Sequence, residues 1–88
     1  MIEFDEAKDA ANIAKHGVSL ALASDLDLDT AVVVKDDRQD YGEDRFNAYG
    51  LIDGDLFALT FTVRGQNVRA ISLRRAREKE VRQWLRRP

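Results

Sequence analysis

The chain has 88 residues, one histidine, no cysteine and a formal net charge of −2. That length supports a single domain, residues 1–88, with a modest core. The missing cysteine excludes disulfides and cysteine–histidine zinc sites, and 44% hydrophobic residues argue against disorder. No apolar run nears the roughly 20 residues of a membrane span and no signal-peptide pattern opens the chain, so the expected compartment is the cytoplasm.

Ile2–Phe4 reads as a short apolar start suited to an edge strand. Asp5 has the character of a helix N-cap, because its carboxylate accepts orphan N–H groups of the first turn. A helix is expected to run to about Lys15, with Ala7, Ala10, Ala11, Ile13 and Ala14 forming a narrow packing side. Gly17 suits the left-handed position that ends many helices, and Lys15 and His16 then fall in the last turn, where cations are favoured. Ser19 is expected to cap a second helix, Leu20 to about Leu26. Asp25, Asp27 and Asp29 alternate beyond it, but the glycine and distal glutamate of a calcium loop are missing, so no metal site is expected.

Ala31–Lys35 is a β-branched run and reads as a strand. Asp36–Asp44 reads as a charged loop, and alternation returns over Arg45–Ile52. Asp53-Gly54 lies between two apolar runs, the sequence signature of a tight hairpin. Leu56–Val63 and Val68–Arg74 follow as strands joined by a turn over 64–67. If pairing keeps large residues together, Phe57, Leu59, Phe61, Ile71 and Leu73 form a core face, with Arg69 at its rim. Ser72 and Arg74, two residues or roughly 6–7 Å apart, then share the open face with Ala58, Thr60 and Thr62. The last helix is expected over about Ala76 to Arg87, with Val81, Trp84 and Leu85 inward and Glu78 and Glu80 paired with Lys79 or Arg82. Trp84 is either a core anchor or a base-stacking platform.

The order is β-α-α-β-β-β-β-α, and the short connections between the last four strands force an antiparallel meander. An α+β fold is expected, with an N-terminal helical pair and a C-terminal helix on four strands. Charge is divided along the chain. Residues 1–63 hold 14 Asp/Glu and 5 Lys/Arg, whereas residues 64–88 hold 9 Lys/Arg and 2 Glu. One reading is a face that attracts phosphate on a body that repels it; the other is a solvated basic helix paired with acidic neighbours.

Several local patterns then coincide. They are Phe4-Asp5-Glu6-Ala7-Lys8, Asn12 with Lys15-His16-Gly17-Val18, Asp37-Arg38, Tyr41-Gly42-Glu43 with Arg45, Gly50, and Ile71-Ser72 with Arg74 and Ala76, followed by Glu80. In order and spacing they resemble the BrnT toxins of bacterial type II toxin–antitoxin systems. Phe4 and Leu20 stand where that family often has tryptophan and phenylalanine, both apolar exchanges. The resemblance implies a RelE-like fold, an RNA-cleaving toxin that inhibits translation, a cognate antitoxin of the BrnA type, assembly through that antitoxin, and no cofactor. The family's basic and polar positions carry over as Lys15, His16, Arg38, Arg64, Arg69, Ser72 and Arg74.

Cleaving RNA through its own 2′-hydroxyl requires a group to take a proton, a group to stabilise phosphate charge and a group to protonate the leaving oxygen. Arg64, Arg69 and Arg74 are candidates for charge stabilisation, and Ser72 for orienting a phosphate oxygen. His16 is a candidate acid or base, or else a helix-terminal cap. Lys15, Arg38, Arg45 and Arg75 are candidate RNA contacts, although Arg38 and Arg45 better suit neutralising Asp36, Asp37, Asp40 and Asp44. The expected antitoxin covers the 64–75 region. The competing function is a non-catalytic nucleic-acid or partner-binding module that uses the same basic face.

Overall fold

The computed structural model describes residues 2–38 and 40–87. Its elements are β1 (Ile2–Glu3), α1 (Glu6–His16), a 3₁₀ segment (Leu20–Asp25), β2 (Val32–Lys35), β3 (Phe46–Ile52), β4 (Asp55–Arg64), β5 (Asn67–Arg75) and α2 (Glu78–Leu85). The five strands form one sheet in the order β1-β5-β4-β3-β2. β1 runs parallel to β5, and the other neighbours are antiparallel. The expected four-stranded meander is therefore β2–β5, and β1 adds a fifth strand that pairs only with Val68 and Arg69.

Local chemistry sets the boundaries. Asp5 accepts hydrogen bonds from the Ala7 and Lys8 amides at 2.8 and 3.1 Å and starts α1; Gly17, at φ 75°, ends it. Asp53 and Gly54 both take positive φ, 49° and 83°, which turns β3 into β4 with a twist that matches the strands. The second helix departs from expectation: it is a six-residue 3₁₀ segment capped by Ser19.

The core lies on one sheet face. Leu20, Ala23 and Leu26 pack over Ala48, Ile52, Phe57, Leu59, Ala70 and Leu73, and Leu20 and Leu73 are fully buried. Gly50 permits this approach, since a Cβ there would lie 2.7 Å from Leu26 Cδ2.

A bulge in β5 corrects the expected faces. Leu59 pairs with Leu73 and Thr60 with Ser72, but Phe61 pairs with Ala70, leaving Ile71 as an extra residue. Beyond the bulge the alternation inverts. Ala70 is buried in the core, while Ile71 is only half-buried and Arg69 shares the opposite face with Thr62.

Both helices also differ from expectation. The alanines of α1 are exposed, because the helix stands beside the sheet edge and not across its face. Asn12 is its buried residue. The Asn12 amide accepts from the Leu73 N–H at 3.1 Å and donates to the Leu73 carbonyl at 2.8 Å. It also donates to the Val18 carbonyl at 2.9 Å. The side chain thus replaces the strand partner that β1 no longer supplies. α2 buries no residue fully; Leu85 is exposed, and Trp84 is half-buried against Val32, Val34 and Tyr49. No described helix is long and apolar enough to cross a membrane.

Candidate active site

The sheet face opposite the core carries a polar cleft of about 390 Å³. Asn47, Tyr49, Thr60, Ser72 and Arg74 form its floor. Lys15 and His16 from the end of α1 line one wall, and Asp36, Arg38, Tyr41 and Arg45 from the β2–β3 segment line another. Arg77 and Glu80 close the α2 end. The β5 bulge turns both Ile71 and Ser72 toward this space. Thr60, opposite Ser72 in the sheet, donates its hydroxyl to Asn47 Oδ1 at 2.8 Å, so the floor is a cross-strand row of polar groups.

Arg74 is held in place. Its two terminal nitrogens donate to the Glu80 carboxylate at 2.7 and 2.9 Å, and Glu80 also accepts from the Arg77 amide at 2.8 Å. The guanidinium is the main reason that the Glu80 carboxyl is pulled down to about 2. Glu80 therefore pairs with Arg74, not with Lys79 or Arg82; Glu78 takes Arg82, at 2.9 Å. On the other wall, Arg38 donates twice to Asp36, both at 2.8 Å, and Tyr41 donates to the same carboxylate at 3.3 Å. Asp36 is almost wholly buried, and Arg38 keeps its carboxyl well below the usual range. The Arg45 guanidinium lies 4.1 Å above the Tyr41 ring. It has no carboxylate partner, and its buried Nε has no hydrogen-bond acceptor, among the described residues.

His16 is half-buried, and its ring makes no hydrogen bond among the described residues. Burial pushes its pKa below the ordinary value, and the charges of Lys15, Arg74 and Arg77 push the same way. The imidazole is accordingly held neutral near neutral pH, with a lone pair able to take a proton. The two carboxylates of the cleft are each engaged by arginine. Among the described residues, no group of three His, Asp or Glu side chains is placed to hold a metal ion.

The fold thus brings together Lys15, His16, Arg38, Arg45, Ser72 and Arg74 of the residues expected from sequence. It sends three arginines elsewhere. Arg64 sits at the β4–β5 turn beside Glu43, at 3.4 Å. The bulge and β1 place Arg69 next to Glu3, at 3.9 Å. Arg75 alternates to the core side of the sheet, where it pairs with Asp55 at 3.0 Å and covers the Phe57 ring. Thr60 lies beside Ser72 on the open face, as expected, whereas sequence reasoning missed Tyr41, Asn47, Tyr49 and Arg77 as lining groups. Asn47 and Tyr49 carried a signal, since they alternate with the core residues of β3 and so share the face of Thr60.

No curated protein matches the chain. A family model described as the ribonuclease toxin, BrnT, of type II toxin–antitoxin systems matches residues 4–80. That span contains every residue that lines the cleft. The chain therefore belongs to the BrnT ribonuclease toxin family of type II toxin–antitoxin systems.

Proposed function

We propose that this chain acts as one toxin domain in the cytoplasm, that it cleaves RNA in the cleft without a metal ion, and that this cleavage inhibits translation. The supporting observation is the position of His16. A histidine kept neutral by burial and neighbouring cations lines the same cleft as Ser72 and Arg74.

In the proposed reaction, the His16 imidazole takes the proton of a ribose 2′-hydroxyl. The 2′ oxygen forms a bond to the adjacent phosphorus as the bond from phosphorus to the 5′ oxygen breaks. Water protonates the leaving oxygen, the His16 imidazolium returns its proton to solvent, and the products are a 2′,3′-cyclic phosphate and a 5′-hydroxyl. Arg74 and Arg45 stabilise the charge that gathers on the phosphate oxygens, while Ser72 orients one of them. Glu80 keeps Arg74 aimed at the floor. A cognate antitoxin of the BrnA type silences the enzyme by covering this cationic cleft, and larger assemblies form through it.

The test is to incubate the purified chain with RNA in excess chelator and to identify the ends produced. Cyclic phosphate ends support the mechanism. Binding without cleavage would favour a non-catalytic RNA-binding module.

A further inference from the structure

A second groove, of about 190 Å³, runs from the cleft along α1. It shares Lys15, His16, Ile71 and Ser72 with the cleft, so the two form one channel. Lys8 and Ala11 extend it along the helix. The groove exists because β1 leaves β5 after Arg69, and α1 then stands beside the open strand edge.

Lys8, Ala11 and Lys15 recur at the spacing of one helical face. The two lysines lie two turns apart, or about 10 Å along the axis, with a methyl group between them. Two of the three acids at this helix end are already engaged, and the third, Glu6, stands two residues from Lys8 and so about 200° around the helix from it. Asp5 accepts from two amides, and Asp9 accepts from the Ser19 hydroxyl at 2.9 Å and the Leu20 amide at 2.7 Å. Neither Lys8 nor Lys15 has an ion-pair partner among the described residues. The opposite exit from the cleft, between α2 and the β2–β3 face, is walled by Val32, Val34 and Trp84, and its cation Arg87 lies on the Trp84 ring at 3.5 Å. A polyanionic backbone is served better by the α1 side.

We propose that the α1 groove is a second phosphate subsite. Through it a single strand of RNA leaves the cleft, with Lys8 on a phosphate flanking the scissile one and Ile71 against the sugar or base between them. The ligand in this proposal rests on the ribonuclease reading above. A channel between one helix and one strand edge admits a single backbone, which makes single-stranded RNA the substrate form. Lys8 is a positioning residue, remote from the reacting atoms.

The test measures binding of a short single-stranded RNA, 2′-O-methylated throughout so that it cannot be cut, as salt rises from about 50 to 200 mM. Each phosphate contact on a single strand contributes about 0.7 to the slope of log affinity against log salt. Lys8→Gln is expected to flatten the slope by about that amount. Lys8→Arg is expected to restore it, and Lys79→Gln, on exposed α2 surface, to leave it unchanged. A Lys8→Gln slope equal to that of the unmodified chain overturns the groove assignment. A slope near zero for the unmodified chain overturns both the groove and the cleft as phosphate sites. Unmethylated RNA is tested in parallel: if it is bound with the Lys8-dependent slope but never cut, the ribonuclease reading fails and the groove stands.

Discussion

Arg74 and Glu80 are joined by two hydrogen bonds, of 2.7 and 2.9 Å, and their side chains are 23% and 16% exposed. The pair ties the end of β5 to the first turn of α2 and fixes a guanidinium beside Ser72. An arginine that must meet a phosphate in one geometry gains from being held before the substrate arrives. Glu80→Gln keeps the shape and removes the charge that holds Arg74. The expected outcome is a fall in kcat of up to about 10²-fold with a smaller change in KM, read by steady-state cleavage of one RNA. Because the Glu80 carboxyl is drawn from 4.5 down to about 2, its contribution to stability is complete above the ordinary value. It is lost as pH falls from about 4.5 toward 2, and urea melts across that range should show a smaller loss in Glu80→Gln than in the native chain, since Asp36 and Asp5 still titrate in both.

The His16 environment predicts a pH profile. Its pKa lies below 6.5, so the neutral base is available above that value and is lost as pH falls through the lowered one. The acidic limb of kcat/KM is expected below pH 6.5. Arg77→Gln removes one of the charges that lower it, and the limb should move upward. His16→Ala should reduce kcat by about 10²–10⁴-fold. A limb that stays fixed in Arg77→Gln would show that another group titrates.

Three arginines expected at the site lie outside the cleft, which separates geometry from charge. Arg64→Ala and Arg75→Ala remove exposed side chains with surface ion-pair partners and should leave cleavage near that of the unmodified chain. Arg74→Ala removes one cation as well, yet should lower kcat by about 10²–10³-fold. Equal losses in all three would mean that net charge alone drives the activity.

Asn12 predicts a stability effect. Its side chain satisfies both backbone groups of Leu73 at a buried strand edge and accounts for the one buried position in α1. Asn12→Ala leaves those groups unpaired and should cost about 1–3 kcal/mol. Asn12→Asp should cost more, since it sets a carboxylate against two carbonyl oxygens. Thermal melts of the two variants check the order.

The strands were legible because their periodicity and turn residues agreed. Asp53-Gly54 makes the hairpin that its composition predicts, and Leu59 and Leu73 fall on the core side as expected. Two features were not legible. The β5 bulge leaves no composition signal, so strict alternation put Ile71 inward and Arg69 on the wrong face. The alanine side of α1 reads as a packing surface, but one asparagine holds the helix at the sheet edge and leaves the alanines exposed. Ser72, Arg74 and His16 were legible as candidates because few residue types can move protons or bind phosphate. Their partners Glu80, Asp36 and Tyr41 depended on how a helix and a loop fold back over the sheet.

In the proposed reaction the 2′-hydroxyl of RNA is the nucleophile in this cleft. The direct measurement uses two oligonucleotides of one sequence, in excess chelator, one of them carrying a single 2′-deoxy residue at the scissile position. The first is expected to be cut to a 2′,3′-cyclic phosphate end, and the second is expected not to be cut at that bond. Equal cleavage of both, or loss of all cleavage on chelation, would contradict the proposed reaction.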